Sequence, residues 1–241
     1  MTCDLVALTV GAREPARAGR FWADLLRGEL TDDAPGSVAV EAGEDLGFRL
    51  RFVPSDAPRT GLNQMHFHLT STSAEDQQAT VARALGLGAA HLDVGQRPEE
   101  GHVVLADPEG NEFCVIEPGN KWLADCGFFA EVTCEGSQET GYFWRDALGW
   151  PLVWDQDQET AIRSPHGGPK ISWGGPPLSP QTGQARMHFD LAAAERAADA
   201  PAELERLLSL GATRSEAGQR EVGWVVLADP DGHEFCLRSL Q

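Results

Sequence analysis

The sequence predicts an α+β fold of tandem, duplicated modules in which strands surround one helix each. Three observations carry that expectation. First, Gly101–Glu117 reads GHVVLADPEGNEFCVIE, an apolar run, a tight turn at Asp107-Pro108-Glu109-Gly110, and a second strand. Proline suits the second position of such a turn and glycine its end. Second, the same hairpin returns as GWVVLADPDGHEFCL at Gly223–Leu237, with Asp107 matched by Asp229 and Cys114 by Cys236, a constant offset of 122 residues. A repeat this long is a duplicated domain rather than a solenoid unit. Third, helical spacing of apolar residues alternates with short strand-like runs in both halves.

Taken in order, Leu5–Val10 is a short apolar strand. Glu14–Leu26 follows with Ala18, Phe21, Trp22, Leu25 and Leu26 on one helical face, Pro15 in its first turn and Gly28 at its end. Ser37–Glu41 and Gly47–Val53 read as strands and complete a β-α-β-β(-β) module. The next module begins at Gln64, with a strand at Met65–Leu69 and a helix at Ala74–Leu87 whose core face is expected to hold Val81, Ala82 and Leu85. A short strand at His91–Val94 and the hairpin close it. Residues 128–240 repeat the plan: strand Phe128–Val132, helix Gly141–Leu148, strands Ala161–Arg163 and Lys170–Trp173, a Gly/Pro-rich loop at Gly174–Gly183, strand Met187–Leu191 and helix Glu203–Leu210. The expected domains are 1–117 and 127–241, joined by a linker at 118–126.

Composition excludes several classes of function. Forty-one per cent hydrophobic residues in a chain of 241 are ample for packed cores, and no apolar run approaches the roughly 18 residues that cross a membrane. The N-terminus shows no basic region followed by a long apolar stretch, so a cytoplasmic protein is expected. A formal net charge of −18 repels a phosphate backbone and anionic lipid, arguing against nucleic-acid and membrane partners. Five cysteines (Cys3, Cys114, Cys126, Cys134, Cys236), an odd number without tight spacing, argue against a disulfide framework.

FWADLL and YFWRDALGW on the first helices, MHFHL and MHFDL on the matching strands, and LADPEGNEFCV and LADPDGHEFCL on the hairpins give the chain a resemblance to the vicinal oxygen chelate superfamily. That superfamily includes glyoxalase I, bleomycin-resistance proteins and extradiol dioxygenases, and the likeness is to its glyoxalase-like domain branch. The resemblance implies four βαβββ modules whose pairs wrap two partly closed eight-stranded barrels around clefts, an intramolecular pseudo-dimer. A monomer is then expected, with a homodimer as the alternative. It also implies metal ligands on the first, fourth, fifth and eighth strands of a metal-dependent member. Here those positions fall on Leu5 and Gly127, near Arg51 and Trp173, on His66 and His188, and on Cys114 and Cys236. Only the histidines match, which argues against glyoxalase I chemistry itself.

Strand alternation then sorts the candidate residues. Phe67 and Leu69 should pack beneath the helices, which turns His66 and His68 to the cleft. By the same parity Glu112 and Cys114 face it, as do His188, Asp190, Glu234 and Cys236 in the second half. His66, His68 and Glu112 form a two-histidine, one-carboxylate set suited to Fe(II), Zn(II) or Mn(II). The pairs His66/Glu112 and His188/Glu234 are alternatively general acid-base candidates. A third reading has Glu112 and Glu234 only tying down the turn backbone. Trp154, Trp173 and Trp224, with Arg51, are candidates to line a cleft and stack on a flat ligand. The two halves differ: the cleft of the first half reads as polar and histidine-rich, that of the second as aromatic. The expected function is binding or sequestration of a small, partly aromatic molecule without a required cofactor. The alternative is a lyase, isomerase or dioxygenase that uses His66/His68 with Glu112, with or without a divalent metal.

Overall fold

The computed structural model describes residues 3–41, 46–58, 61–97, 99–178, 185–193, 200–215 and 223–238. Four βαβββ modules follow one another. The first holds β1 (Cys3–Ala12), α1 (Pro15–Leu26), β2 (Glu29–Asp32), β3 (Val38–Glu41) and β4 (Arg49–Pro54). The second holds β5 (Met65–Leu69), α2 (Ala74–Gly86), β6 (Ala90–His91), β7 (Val103–Ala106) and β8 (Glu112–Val115). The third holds β9 (Phe129–Cys134), α3 (Gln138–Leu148), β10 (Leu152–Gln156), β11 (Glu159–Arg163) and β12 (Lys170–Trp173). The fourth holds β13 (Met187–Ala193), α4 (Ala200–Ser209), β14 (Thr213–Arg214), β15 (Trp224–Ala228) and β16 (Glu234–Arg238). The sequence reading had no β2 or β10, whose mixed, half-exposed residues carry little apolar alternation. Of the expected Gly/Pro-rich loop at Gly174–Gly183, residues 179–183 lie outside the described ones.

The modules pair across the halves. One sheet runs β14-β15-β16-β13-β1-β4-β3-β2 and the other β10-β11-β12-β9-β5-β8-β7-β6. The first module thus shares a sheet with the fourth through β1 and β13, and the second with the third through β5 and β9, both antiparallel. Neither sheet closes, because β14 and β2, or β10 and β6, stand at opposite ends of each order. This pairing corrects the division of the clefts by half: each cleft takes residues from both halves.

Helices α1 and α3 bury their aromatic faces between the two sheets. Trp22 packs edge-on against Phe67 and Phe113, at centroid distances of 5.2 and 5.1 Å, while Trp144 meets Phe189 and Phe235 at 5.0 Å each. These rings join one hydrophobic core that draws on both sheets. The α2 face departs from expectation. Thr80 and Ala84 are buried and Val81 packs partly on the core, whereas Leu85 is exposed.

Each half is also tied to itself through the repeated turn. Asp107 Oδ1 accepts from the N–H groups of Glu109 (2.8 Å) and Asn111 (2.9 Å), and its Oδ2 accepts from Trp22 Nε1 at 3.0 Å. Asp229 does the same with Asp231, His233 and Trp144 Nε1 (3.2 Å). The pairing of FW on the helix with ADP on the hairpin is therefore one buried hydrogen-bonded unit. The turn aspartates hold the turns, Glu112 accepts from the Asn63 N–H at 3.2 Å, and Glu234 accepts from Ser215 Oγ at 2.7 Å.

Candidate functional site

With the helices on the shared side, the opposite face of each sheet carries the polar residues that the parity argument picked out. On the first sheet, β1 and β13 place Thr9 opposite His188 and Ala7 opposite Asp190. β4 adds Arg51 beside Thr9, and β16 adds Cys236 beside Asp190. Asp190, 1% exposed, organises the group. Its Oδ2 accepts from Thr9 Oγ1 at 2.5 Å and stands 3.9 Å from Arg51 Nη1, while its Oδ1 is 3.3 Å from His188 Nε2. Arg51 is also bonded to Asp33. Burial opposes charge on His188, but hydrogen bonds to Asp190 and Cys236 outweigh it and raise its pKa to about 9.

A cavity of about 460 Å³ opens over this group, and Thr9, Arg51, Arg186, His188, Trp224 and Cys236 are among its walls. Trp224 is half-buried at the end of β15.

The second sheet assembles a different set. β9 places Thr133 opposite His66 and Glu131 opposite His68, and β8 places Cys114 beside His68. His68 Nδ1 bonds Glu131 Oε2 at 2.7 Å, and the facing Nε2 atoms of His66 and His68 are 3.1 Å apart. Trp122 Nε1 donates to the other carboxylate oxygen of Glu131 at 2.8 Å. Two imidazole lone pairs cannot face each other at that distance, so one ring holds a proton between them. Burial opposes the charge on His68, yet its bonds to Cys114 and Glu131 raise its pKa to about 9; burial and the neighbouring His68 lower His66 to about 4. Glu131, 2% exposed, is held below the usual carboxylate range against its burial by His68, Ser172 and Trp122. Trp154 joins this cleft, its ring edge-on to Trp122 at 5.5 Å.

The expected site residues are therefore regrouped. Arg51, Asp190, His188, Cys236 and Trp224 come together on the first sheet; His66, His68, Cys114 and Trp154 come together on the second. The acids beside the histidines are Asp190 and Glu131, where His188/Glu234 and His66/Glu112 were expected. The metal-donor groups that converge are His66/His68/Cys114 and His188/Asp190/Cys236, the donor atoms of each within 4.8 Å of one another, so Cys114 stands where Glu112 was expected. Trp173 is in neither cleft. It is 1% exposed in the core and stacks on Trp144 at 6.4 Å. Its cleft neighbour is Ser172, which pairs with Thr133 on β9 as Arg51 pairs with Thr9 on β1. Carrying the 122-residue offset from Arg51 to Trp173 slipped the strand by one residue, which exchanges its faces. Glu131 was missed outright, although a lone carboxylate inside the apolar run FFAEVTC was the signal that could have found it.

The donor sets differ in their fit to a metal ion. On the first sheet the Arg51 guanidinium stands beside the only carboxylate of the set, a fixed cation where a divalent ion would need to sit, and the set does not fit. On the second sheet both Nε2 atoms and the Cys114 sulfur converge, and the cation beside Glu131, Lys170, is engaged by the carbonyl and ring of Trp122. Glu131 on His68 Nδ1 supplies the outer carboxylate that orients a ligating imidazole. That set fits a divalent ion with affinity for nitrogen and sulfur.

Two open eight-stranded sheets of paired βαβββ modules, each with a polar outer cleft, define a tandem protein of the vicinal oxygen chelate type. The chain belongs to the glyoxalase-like domain family, whose model matches it twice, at residues 7–116 and 129–238. Among solved structures, glyoxalase I from Zea mays is similar over 99% of this chain and 92% of its own, at 12% identity and a TM-score of 0.63. A putative dioxygenase from Bacillus subtilis subsp. subtilis str. 168 is similar over 99% of this chain and 85% of its own, at 16% identity and a TM-score of 0.63. At such identities these likenesses show the fold alone. No curated protein matches the chain. Among the described residues, no helix is long and apolar enough to cross a membrane.

Proposed function

We propose that the protein binds a small, partly aromatic organic molecule in the first-sheet cavity, as a binding or sequestering protein. The observation that carries this reading is the cavity itself. Its volume of about 460 Å³ lies within the roughly 300–1,000 Å³ of small-molecule sites, and it places one aromatic wall, Trp224, over a floor of fixed polar groups. Asp190 is already bonded to Thr9 and in contact with His188 and Arg51, so the floor is organised before a ligand arrives. Trp224 offers a stacking face worth about 0.5–1.5 kcal/mol beyond burial. The test is tryptophan fluorescence and thermal melting against a panel of small aromatic compounds, together with native mass spectrometry of what co-purifies. A bound compound whose signal is lost in Trp224→Ala supports the reading. A panel that moves neither the fluorescence nor the melt, with nothing co-purifying, sinks it.

A second reading rests on the convergence of His66, His68 and Cys114 beside Glu131. On it the second-sheet cleft holds a divalent metal, and the protein is a lyase, isomerase or dioxygenase in which the bound ion would polarise a substrate oxygen. His66, His68 and Cys114 would hold the ion, and Glu131 would orient His68. Metal analysis of the purified protein tests it: one equivalent that disappears in His66→Ala supports it, and a protein that neither carries nor takes up Zn(II), Fe(II) or Mn(II) rules it out.

A further inference from the structure

The cavity floor holds a group that ligand binding alone does not use. Cys236 lines the cavity and is otherwise buried, at 4% exposure. It is hydrogen-bonded to His188, His188 is in contact with Asp190, and the three donor atoms lie within 4.8 Å of one another. Asp190 is fixed in turn by Thr9 and Arg51. A nucleophile beside an imidazole, with the imidazole oriented by a third, anchored group, is the arrangement that activates a thiol. Two other cysteines serve as contrasts. Burial and a bond to Glu203 push the Cys3 thiol far up, and burial does the same to Cys134.

We propose that Cys236 is a reactive thiol that captures small α,β-unsaturated carbonyl compounds in the first-sheet cavity, with His188 as its proton partner and Asp190 as the positioning residue. The step balances without an added oxidant or reductant. The thiol proton resides on the His188 imidazole, and the sulfur lone pair forms the C–S bond at the β-carbon. The C=C π pair moves to give the enolate, and the imidazolium returns its proton to the α-carbon, leaving a thioether and a neutral ring. Arg186 lines the same cavity, and its buried Nε has no hydrogen-bond partner among the described residues. The inference deepens the binding reading and rests on it, since the electrophile must enter the cavity.

The experiment uses the full chain with Cys114→Ser, so that the second-sheet thiol does not contribute. Iodoacetamide is added at neutral pH and each cysteine is followed by peptide mass mapping; but-2-enal is the second probe. The expected result is that Cys236 is alkylated at least about tenfold faster than Cys3 and Cys134, and that His188→Gln and Asp190→Asn each slow it about tenfold. But-2-enal should add its mass at Cys236. Should His188→Gln fail to fold, Asp190→Asn carries the same comparison, with circular dichroism as the check on folding. Alkylation of Cys236 no faster than Cys3 and Cys134, or indifferent to both variants, overturns the proposal. Fast alkylation with no but-2-enal adduct overturns the ligand class. Iodoacetamide needs access but no recognition, so a failed aromatic panel beside a fast Cys236 is a failure of the binding reading alone.

Discussion

The two clefts are built on the same plan from exchanged halves, and they differ in where the acid stands. On the first sheet the carboxylate is Asp190 on β13, and the facing position on β1 is Ala7. On the second it is Glu131 on β9, facing His68 on β5. By the 122-residue offset His66 matches His188 and His68 matches Asp190, so one copy of MHFHL became MHFDL and the acid moved to the partner strand. Each cleft keeps a histidine, a carboxylate and a cysteine by a different route. The neighbours then set the chemistry. Arg51 neutralises the first acid and leaves a polar floor under a cavity; Ser172 stands at the corresponding place on the second sheet and leaves two histidines and a sulfur free to share a cation. Duplication with cross-paired sheets gives one chain two sites that can diverge while the core between them stays shared.

The largest expected effect separates core from cleft. Trp173→Ala should cost about 3–5 kcal/mol in urea unfolding, because it opens a large void against Trp144, whereas Trp224→Ala should cost under about 1 kcal/mol. Equal losses would break the assignment of Trp173 to the core. Next come the acids. Asp190→Asn and Glu131→Gln should each cost about 1.5–3 kcal/mol by removing hydrogen bonds to a charged group. Asp190→Asn should leave the His66 and His68 resonances unmoved, and Glu131→Gln should leave His188 unmoved. Cross-talk in the NMR spectra would show that the clefts are not independent. On ligand affinity, Trp224→Ala should weaken a first-sheet ligand by about 2–10-fold and Trp154→Ala by less than twofold, read by titration calorimetry.

The pH response sharpens the same contrast. In metal-free protein the His68 and His188 signals should titrate near 9, above the ordinary value of 6.5, and His66 near 4, below it. A raised histidine stabilises the folded state fully below about pH 6.5, and that contribution is lost as pH rises through 9. His66 acts in the opposite direction: its neutral form is kept above about pH 6.5, and stability declines as pH falls through 4. The histidine of the first cleft should therefore lose its contribution on the alkaline side alone, while the pair in the second should lose theirs on both. His68 titrating near 6.5 would dissolve its pairing with Glu131.

Sequence alone determined a good deal, because much of the information is local. The turn chemistry of ADPEG and ADPDG, the helical spacing of Phe21-Trp22 and Phe143-Trp144, and the alternation of MHFHL state what each segment buries, and the 122-residue offset states that it happens twice. The parity of a strand turned His66, His68, Asp190, Cys114 and Cys236 outward correctly. What sequence left open was which strand lies beside which. The exchange of modules across the halves is decided by pairing β1 with β13 and β5 with β9, contacts between residues sixty or more positions apart that leave no periodic mark. On that choice depends whether His68 meets Glu131 or a residue of its own half, and whether Arg51 reaches Asp190. A single residue of slip put Trp173 on the wrong face, since the strand repeats every two residues and the loop lengths that set its phase are read only in three dimensions. Tertiary structure alone therefore decided the partners of each histidine, and with them their charges.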